Sequence, residues 1–406
     1  MSTGKLEPRT RVPESRIPSP ESRAKGPRHP AGLQRGERFA RCPPVAYPLT
    51  SGQPLVAVVT PAYNAADYLA ACLESVCAQS YRNWLHLVVD NASTDATREI
   101  AESFAAKDAR VKVLSFRQFV PMFENFNRAL AAVPPEARYL KQILADDTLH
   151  PDCLMAMVAA AQNDPQVAFV ISRFYHGSVL SPAHAPRKAA RLSGHTVARN
   201  TLLGRSNLLG SPSVPLMRID RLVGWPALFP VARFPPGHPD APPHNQGDKE
   251  SCLATLARSD VAFLPEPLLR LRDEGPSATG FARRVGGWHA TRLDLLLRRG
   301  EQFIDEKALR TGVRRTAWKW ARAMAWRSLK LLRRRDQEFL LYQRLCLENL
   351  IPRLREGGYE REASMLTYFK SGLKRISPKS IDLQTKSPAT PPEQQASEES
   401  SHAQPH

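Results

Sequence analysis

Two adjacent carboxylates, Asp146 and Asp147, close the run Tyr139-Leu140-Lys141-Gln142-Ile143-Leu144-Ala145. The Tyr, Leu and Ile of that run predict a buried strand over residues 139–145, which puts both acids at its end. Like charges there repel one another and lose hydration unless a cation stands between or before them. A divalent metal carrying a phosphate is the simplest such partner. Carboxylates with few other protein ligands suit Mg or Mn, which keep water and complete their shell with phosphate oxygens. The structural alternative is a helix cap, with Asp146 or Asp147 accepting amide hydrogen bonds ahead of a helix that starts near Pro151.

The elements that must position the pair begin at Leu55. Residues 55–60, Leu-Val-Ala-Val-Val-Thr, read as a buried parallel strand stopped by Pro61. Tyr68, Leu69, Cys72, Leu73 and Val76 follow at helical spacing. A second strand over 85–89 stops at Asp90-Asn91-Ala92-Ser93-Thr94-Asp95, where Ser93 or Thr94 is the expected cap of the next helix. A third strand is expected over 111–115, a helix over 122–132, and a further strand over 167–172. Strand–helix alternation with short connections predicts an α/β fold with a mostly parallel, doubly wound sheet, and ligands in such sheets sit beyond the carboxyl ends of the strands. Thr60, Tyr63 and Asn64, then Asp90 and Asn91, then Asp146 and Asp147, all fall at those ends.

Net charge is +18, carried outside this region. Residues 1–50 hold ten Lys/Arg against four Asp/Glu and residues 281–375 hold 23 against 10, whereas 51–280 hold 22 against 21. A protein built to grip nucleic acid would place that excess on its folded core, so no nucleic-acid partner is expected. The peripheral charge suits an anionic membrane surface or an anionic acceptor. Six scattered cysteines show no metal-binding spacing and are expected to be reduced thiols. With no apolar run long enough to span a bilayer and no apolar stretch of a leader at the N-terminus, the expected location is cytoplasmic, peripheral on the inner face of the membrane. Four segments result: a disordered Pro/Arg-rich arm over 1–50, an α/β domain over 51–280, a basic helical region over 281–375, and a disordered tail over 376–406.

The series Val58-Val59-Thr60-Pro61-Ala62-Tyr63-Asn64, Tyr68-Leu69, Cys72-Leu73-Glu74-Ser75-Val76, Gln79-Ser80-Tyr81, Val88 to Asp95, and Ala145-Asp146-Asp147 resembles the donor half of the family 2 glycosyltransferases. The resemblance covers about residues 55–275. It implies the GT-A fold (Rossmann-like, mostly parallel), a nucleotide-diphosphate sugar donor, a Mg or Mn cofactor, a glycan or lipid-linked hydroxyl acceptor, and inversion at the anomeric carbon. Carried over by position, Thr60, Pro61 and Tyr63 would line the nucleoside pocket. Asp90 and Asn91 would approach base and ribose, Asp146 would sit near the ribose or sugar, and Asp147 would bind the metal. Asn91 stands where many relatives have a second acid, and Leu144 stands where many have a third Asp. The segment Asn207-Leu208-Leu209-Gly210-Ser211-Pro212-Ser213 resembles the family's acceptor-side stretch, whose small residues let a sugar approach the backbone.

Inverting transfer is one in-line displacement and needs a carboxylate to take the acceptor's proton. Asp248, after Asn245-Gln246-Gly247, falls where the family places that base; Glu250 is the reserve, on another side of the same helix, and a helix cap is the structural alternative for Asp248. After Arg272 the family's His is replaced by Asp273 and Glu274. Past Gly280 the pattern is helical, over 288–298, 307–334, 337–355 and 360–373. Leu309, Val313, Ala317, Trp320, Met324, Ser328 and Leu331 form its longest apolar stripe. That stripe is expected to pack on the catalytic domain, with a membrane-interface role for Trp318, Trp320 and Trp326 as the alternative. Two other functions compete. Nucleotidyl transfer lacks its Gly-rich basic phosphate loop, whose place Pro61-Ala62-Tyr63 takes. A glycosyltransferase-like binder without turnover is suggested by Leu144 and Glu274.

Overall fold

A computed structural model describes residues 52–182, 185–229, 247–272, 287–331 and 337–376. All of these lie within the compact unit Pro44–His406. The N-terminal arm, the Pro-rich stretch 235–244, Asp273, Glu274 and the C-terminal tail lie outside the described residues.

β1 (Val56–Ala62) is buried at all seven positions, as a central strand covered on both faces requires. α1 (Ala66–Cys77) follows and buries Leu69, Cys72, Leu73 and Val76. Then come β2 (Trp84–Asn91), α2 (Thr97–Ala105), β3 (Val111–Phe116) and α3 (Met122–Ala131). β4 (Tyr139–Gln142) is shorter than its apolar run, and β5 (Thr148–Leu149), α4 (Cys153–Asn163) and β6 (Val167–His176) succeed it. β7 (Val179–Ser181), β8 (Ala190–Leu192), α5 (Gly194–Leu202) and β9 (Leu216–Arg218) precede α6 (Gly247–Leu256) and β10 (Asp260–Leu271).

The strands form one mixed sheet in the order β3-β2-β1-β4-β9-β6-β10-β5, with β7 beside β6 and β8 beside β10. β1, β2, β3 and β4 run parallel. β9 lies antiparallel between β4 and β6, and β6 is parallel to β10. Two reversals restore direction, so β1, β2, β4, β6 and β10 all end on one edge. The fold is the GT-A α/β arrangement, a mostly parallel sheet followed by helices.

Four helices complete the described chain: α7 (Gly287–Arg299), α8 (Glu306–Leu331), α9 (Gln337–Glu356) and α10 (Glu360–Ile376). Leu309, Val313, Ala317, Trp320 and Met324 of α8 are buried, but α8 packs chiefly on α7 and α10 and not, as expected, on the sheet of the catalytic domain. Trp320 donates its indole N–H to Gln343 Oε1 at 2.9 Å, which satisfies the one polar atom of a fully buried ring. Trp320 is therefore a core residue and not an interfacial one. None of the helices is long and apolar enough to cross a membrane, among the described residues. Among the described residues, Cys72, Cys77, Cys153, Cys252 and Cys346 form no disulfide with one another.

Candidate active site at the carboxyl edge

The loops on this edge are tied to one another by side chains that local propensity would assign elsewhere. Asn64, in a left-handed conformation at φ 46°, accepts from Thr94 N at 2.8 Å and gives its own N–H to Ser93 Oγ at 3.0 Å. Asp95 accepts from Ala66 N at 3.0 Å and Thr97 N at 3.0 Å. Ser93 and Thr94 thus bridge two loops, and α2 starts with Ala96 at its cap and no side-chain cap bond. The expected cap is corrected because the neighbouring loop offers these side chains better partners.

Thr60 is fully buried, its Oγ1 hydrogen-bonded to His86 Nε2 at 2.8 Å. Burial pulls the His86 imidazole down to about 3, so it is neutral. The Thr60 side chain therefore lies on the sheet face covered by α1, between His86 and Cys72, and Pro61 is buried beside it within β1. Tyr63 is the exposed group of the first strand end, and its ring lies 4.7 Å from that of Phe119. Asp90 is buried and accepts from Ser93 N at 3.2 Å. Asn91 donates to Val120 O at 2.8 Å and accepts from Val120 N at 3.0 Å. Its carbonyl and one amide proton are thus committed to fixing the loop before α3, a different role from reading a base edge.

Asp146 and Asp147 divide the work. Asp147 is 4% exposed; its Oδ2 accepts from Ser213 Oγ at 2.5 Å and its Oδ1 from Arg272 N at 3.1 Å. Asp146 is more open and accepts from Arg272 Nε at 2.9 Å, while the Arg272 guanidinium lies 4.1 Å from the centre of the Tyr68 ring. Neither acid caps the following helix, since α4 begins after Asp152 with no side-chain cap bond. Burial first, and the Asp146 charge second, push the Asp147 carboxyl up to about 7. Its hydrogen bonds from the Ser213 hydroxyl and the Arg272 amide, with the Arg272 charge, offset that rise only in part, so the ionised form is under-compensated.

Two groups at this corner, Ser213 and Gly210, are far off in sequence, and Lys141 reaches the same segment from the acid pair's own run. Ser213 also accepts from Leu144 N at 2.9 Å, so the residue standing where relatives carry a third acid contributes its backbone. Fully buried Lys141 donates to Ser213 O at 2.6 Å and Val214 O at 3.0 Å, and burial lowers its pKa. Gly210 sits at φ 56°, where a Cβ would come within 2.5 Å of Val214 Cγ2, so its smallness serves packing against Val214 and Phe174. Sequence reading flagged 207–213 as acceptor-side but missed Ser213 as a partner of Asp147. A Lys inside an otherwise apolar strand was the available sign that a distant segment must offer carbonyls to it.

Asp248 opens α6, whose start packs against α3: a Cβ on Gly247 would fall 2.2 Å from the Phe123 ring. Since α3 begins at the loop fixed by Asn91, these contacts bring Asp248 to the same edge as β2. No described hydrogen bond links it directly to the acid pair. Burial raises the Asp248 pKa, opposed by the adjacent Lys249 charge. Glu250 is different. It forms a bidentate pair with Arg298 at 2.5 and 2.8 Å; Arg298 also binds Asp294, which takes Arg353 of α9. The reserve base is thus committed to joining α6 to the helical region. Leu253 and Leu256 of α6 are buried, whereas Ala257, beyond the helix end, is exposed.

Among the described residues no three His, Cys, Asp or Glu side chains gather as a metal cage. The acid pair nonetheless fits a cation of the Mg or Mn type, which needs one or two carboxylates and takes its other oxygens from phosphate and water. Asp147, beside a more open Asp146, offers carboxylate oxygens of the kind such an ion takes.

Residues 57–220 match Glycosyl transferase family 2. TuaG of Bacillus subtilis, a glycosyltransferase named for teichuronic acid biosynthesis, is 35% identical over 106 residues, covering 26% of this chain and 41% of its own. Glycosyltransferase GlyG of Streptococcus pneumoniae is 29% identical over 122 residues, covering 30% of this chain and 40% of its own. The chain thus spans about two-fifths of these relatives. The crystal structure of S. aureus TarS superposes with a TM-score of 0.50 at 16% identity, covering 81% of this chain and 53% of that one.

Proposed function

This chain carries a family 2 glycosyltransferase domain on a GT-A fold, and from that premise we propose an inverting transferase that moves a sugar from a nucleotide-diphosphate donor to a hydroxyl acceptor. The observation that carries the reading is Asp147, buried beside Asp146 at the strand edge with its charge under-compensated. A polar edge in that state favours a cation-bound diphosphate. The domain takes residues 51–280, with 281–375 as its helical partner.

In the reaction the acceptor oxygen bonds to the anomeric carbon as the bond from that carbon to the diphosphate oxygen breaks, and the hydroxyl proton passes to Asp248. The burial that raises the Asp248 pKa brings it nearer neutrality, where a general base is most effective. Tyr63 and Phe119 offer the exposed rings against which a base stacks, with Asp90 at the neighbouring strand end and Asn91 holding the loop that carries Phe119. Asp146 keeps Arg272 in place beside the diphosphate. Asp147, with Asp146, would hold a Mg or Mn ion, which when bound neutralises charge on the leaving diphosphate.

The acceptor in this reading is a glycan or a lipid-linked sugar of cell-envelope assembly. The relatives' names support it, TuaG for teichuronic acid and RfbC of Myxococcus xanthus for O-antigen biosynthesis. Action at the cytoplasmic membrane face belongs to the same reading. The test is to incubate the protein with nucleotide sugars and Mn or Mg and to follow released nucleotide diphosphate. Asp248→Asn should lower turnover by about 10²–10⁴ while nucleotide affinity stays within twofold. Undiminished transfer by that variant would remove Asp248 from the mechanism.

A further inference from the structure

α8 is 26 residues long and carries eight Lys/Arg against a single acid, Glu306. Glu306 is engaged by Arg310 at 2.9 Å, and Arg314 approaches Glu362 of α10 at 3.7 Å. Lys307, Arg315, Lys319 and Arg322 are exposed and have no acidic partner among the described residues. At about 100° per residue they fall with Trp318 within an arc of roughly 120°, opposite the buried stripe of Val313 and Trp320. Trp318 is 57% exposed, although a ring of that size is normally buried. The three tryptophans grouped in the sequence thus separate: Trp320 is core, Trp318 faces out among cations, and the side chain of Trp326 lies outside the described residues.

We infer that this face of α8 docks on an anionic lipid bilayer. The charge fixes the sign of the partner and the ring fixes its kind. A polyanion without bases or sugar rings gains nothing from the exposed indole, and one that has them would compete for this face through stacking. A bilayer surface takes both, phosphate headgroups against Lys and Arg and the amphipathic indole at the headgroup level. The surface brings the chain to lipid-linked acceptors under the reading above, but it makes no use of Asp248 and stands or falls apart from it.

Vesicles of phosphatidylcholine with 30% phosphatidylglycerol, and of phosphatidylcholine alone, are sedimented with the full chain. Binding is expected only to the anionic vesicles and should weaken as salt rises from 50 to 500 mM. At about fivefold per basic residue, Arg315→Gln/Lys319→Gln/Arg322→Gln should bind on the order of 100-fold more weakly. Trp318→Ala should lose roughly tenfold at every salt concentration. All four side chains are exposed, so thermal melts of the variants should match wild type. Absence of sedimentation with anionic vesicles overturns the proposal. So does wild-type binding by the triple variant, which would shift the contact to the basic N-terminal segment. If Trp318→Ala binds normally while dextran sulfate or single-stranded nucleic acid competes fully, the face is a polyanion site and the bilayer assignment is wrong.

Discussion

Replacing Asp147 by Asn should stabilise the ligand-free protein, and more so as pH rises. In the fold the Asp147 carboxyl titrates near 7, against an ordinary value of 3.8, because it is buried beside Asp146. A pKa raised on folding means that the folded state holds a proton the unfolded chain has released. The associated stability is complete below about pH 3.8 and is lost as pH rises through 7. About three pH units at 1.36 kcal/mol each give a loss on the order of 4 kcal/mol by pH 8.5, reduced to about 2–4 kcal/mol if the surroundings relax around the charge. Asn is isosteric and permanently neutral: its carbonyl can accept from Arg272 N and its amide can donate to Ser213 Oγ. The assay is denaturant unfolding of wild type and Asp147→Asn at pH 5 and pH 8.5. A difference of about 2–4 kcal/mol at pH 8.5 that shrinks towards pH 5 is expected. Equal differences at the two pH values would refute the argument, since they would mean that Asp147 stays ionised throughout. Adding Mn with a nucleotide diphosphate should reverse the order above pH 7, because ligand bound to the ionised pair stabilises wild type alone.

Glu250→Gln and Arg298→Ala should each lower stability by about 3–5 kcal/mol, since either leaves a buried partner poorly compensated, while turnover per folded molecule of Glu250→Gln stays near wild type. Full stability with turnover as low as that of Asp248→Asn would instead make Glu250 the base. Tyr63→Ala should change stability by less than about 0.5 kcal/mol because the ring is exposed, yet weaken nucleotide-diphosphate binding by roughly tenfold, as isothermal titration would register. Unaltered affinity would place the base away from the Tyr63–Phe119 pair.

The strongly apolar strands were legible from composition alone. β1 and β2 are runs that only a sheet covered on both faces accommodates, and α1 buries four of the five residues its spacing selects, leaving Tyr68 exposed. β9 was not legible. Its three residues have no period of their own and become a strand because β4 and β6 flank them with free edges. β4 likewise ends three residues short of the end of its apolar run, because Leu144 and its successors turn toward Ser213 and Arg272.

Types and strand ends were therefore readable at the candidate site, and orientation was not. Thr60, Asn91 and Glu250 each stand at or near the edge by sequence, yet each is turned to a structural partner: His86, the Val120 backbone, or Arg298. Those partners lie 26 to 48 residues away, beyond the reach of any local pattern. The acid pair shows the same principle with the opposite result. Two carboxylates in sequence are compatible with a helix cap or with a ligand site, and what separates the two is where their hydrogen bonds come from. A cap would draw on amides two or three residues ahead. Asp147 draws instead on a hydroxyl 66 residues on and an amide 125 residues on. That geometry buries the carboxylate at the edge of the sheet with a hydroxyl and an amide as its hydrogen-bond donors, so the environment that raises its pKa is a property of the folded chain and not of the dipeptide.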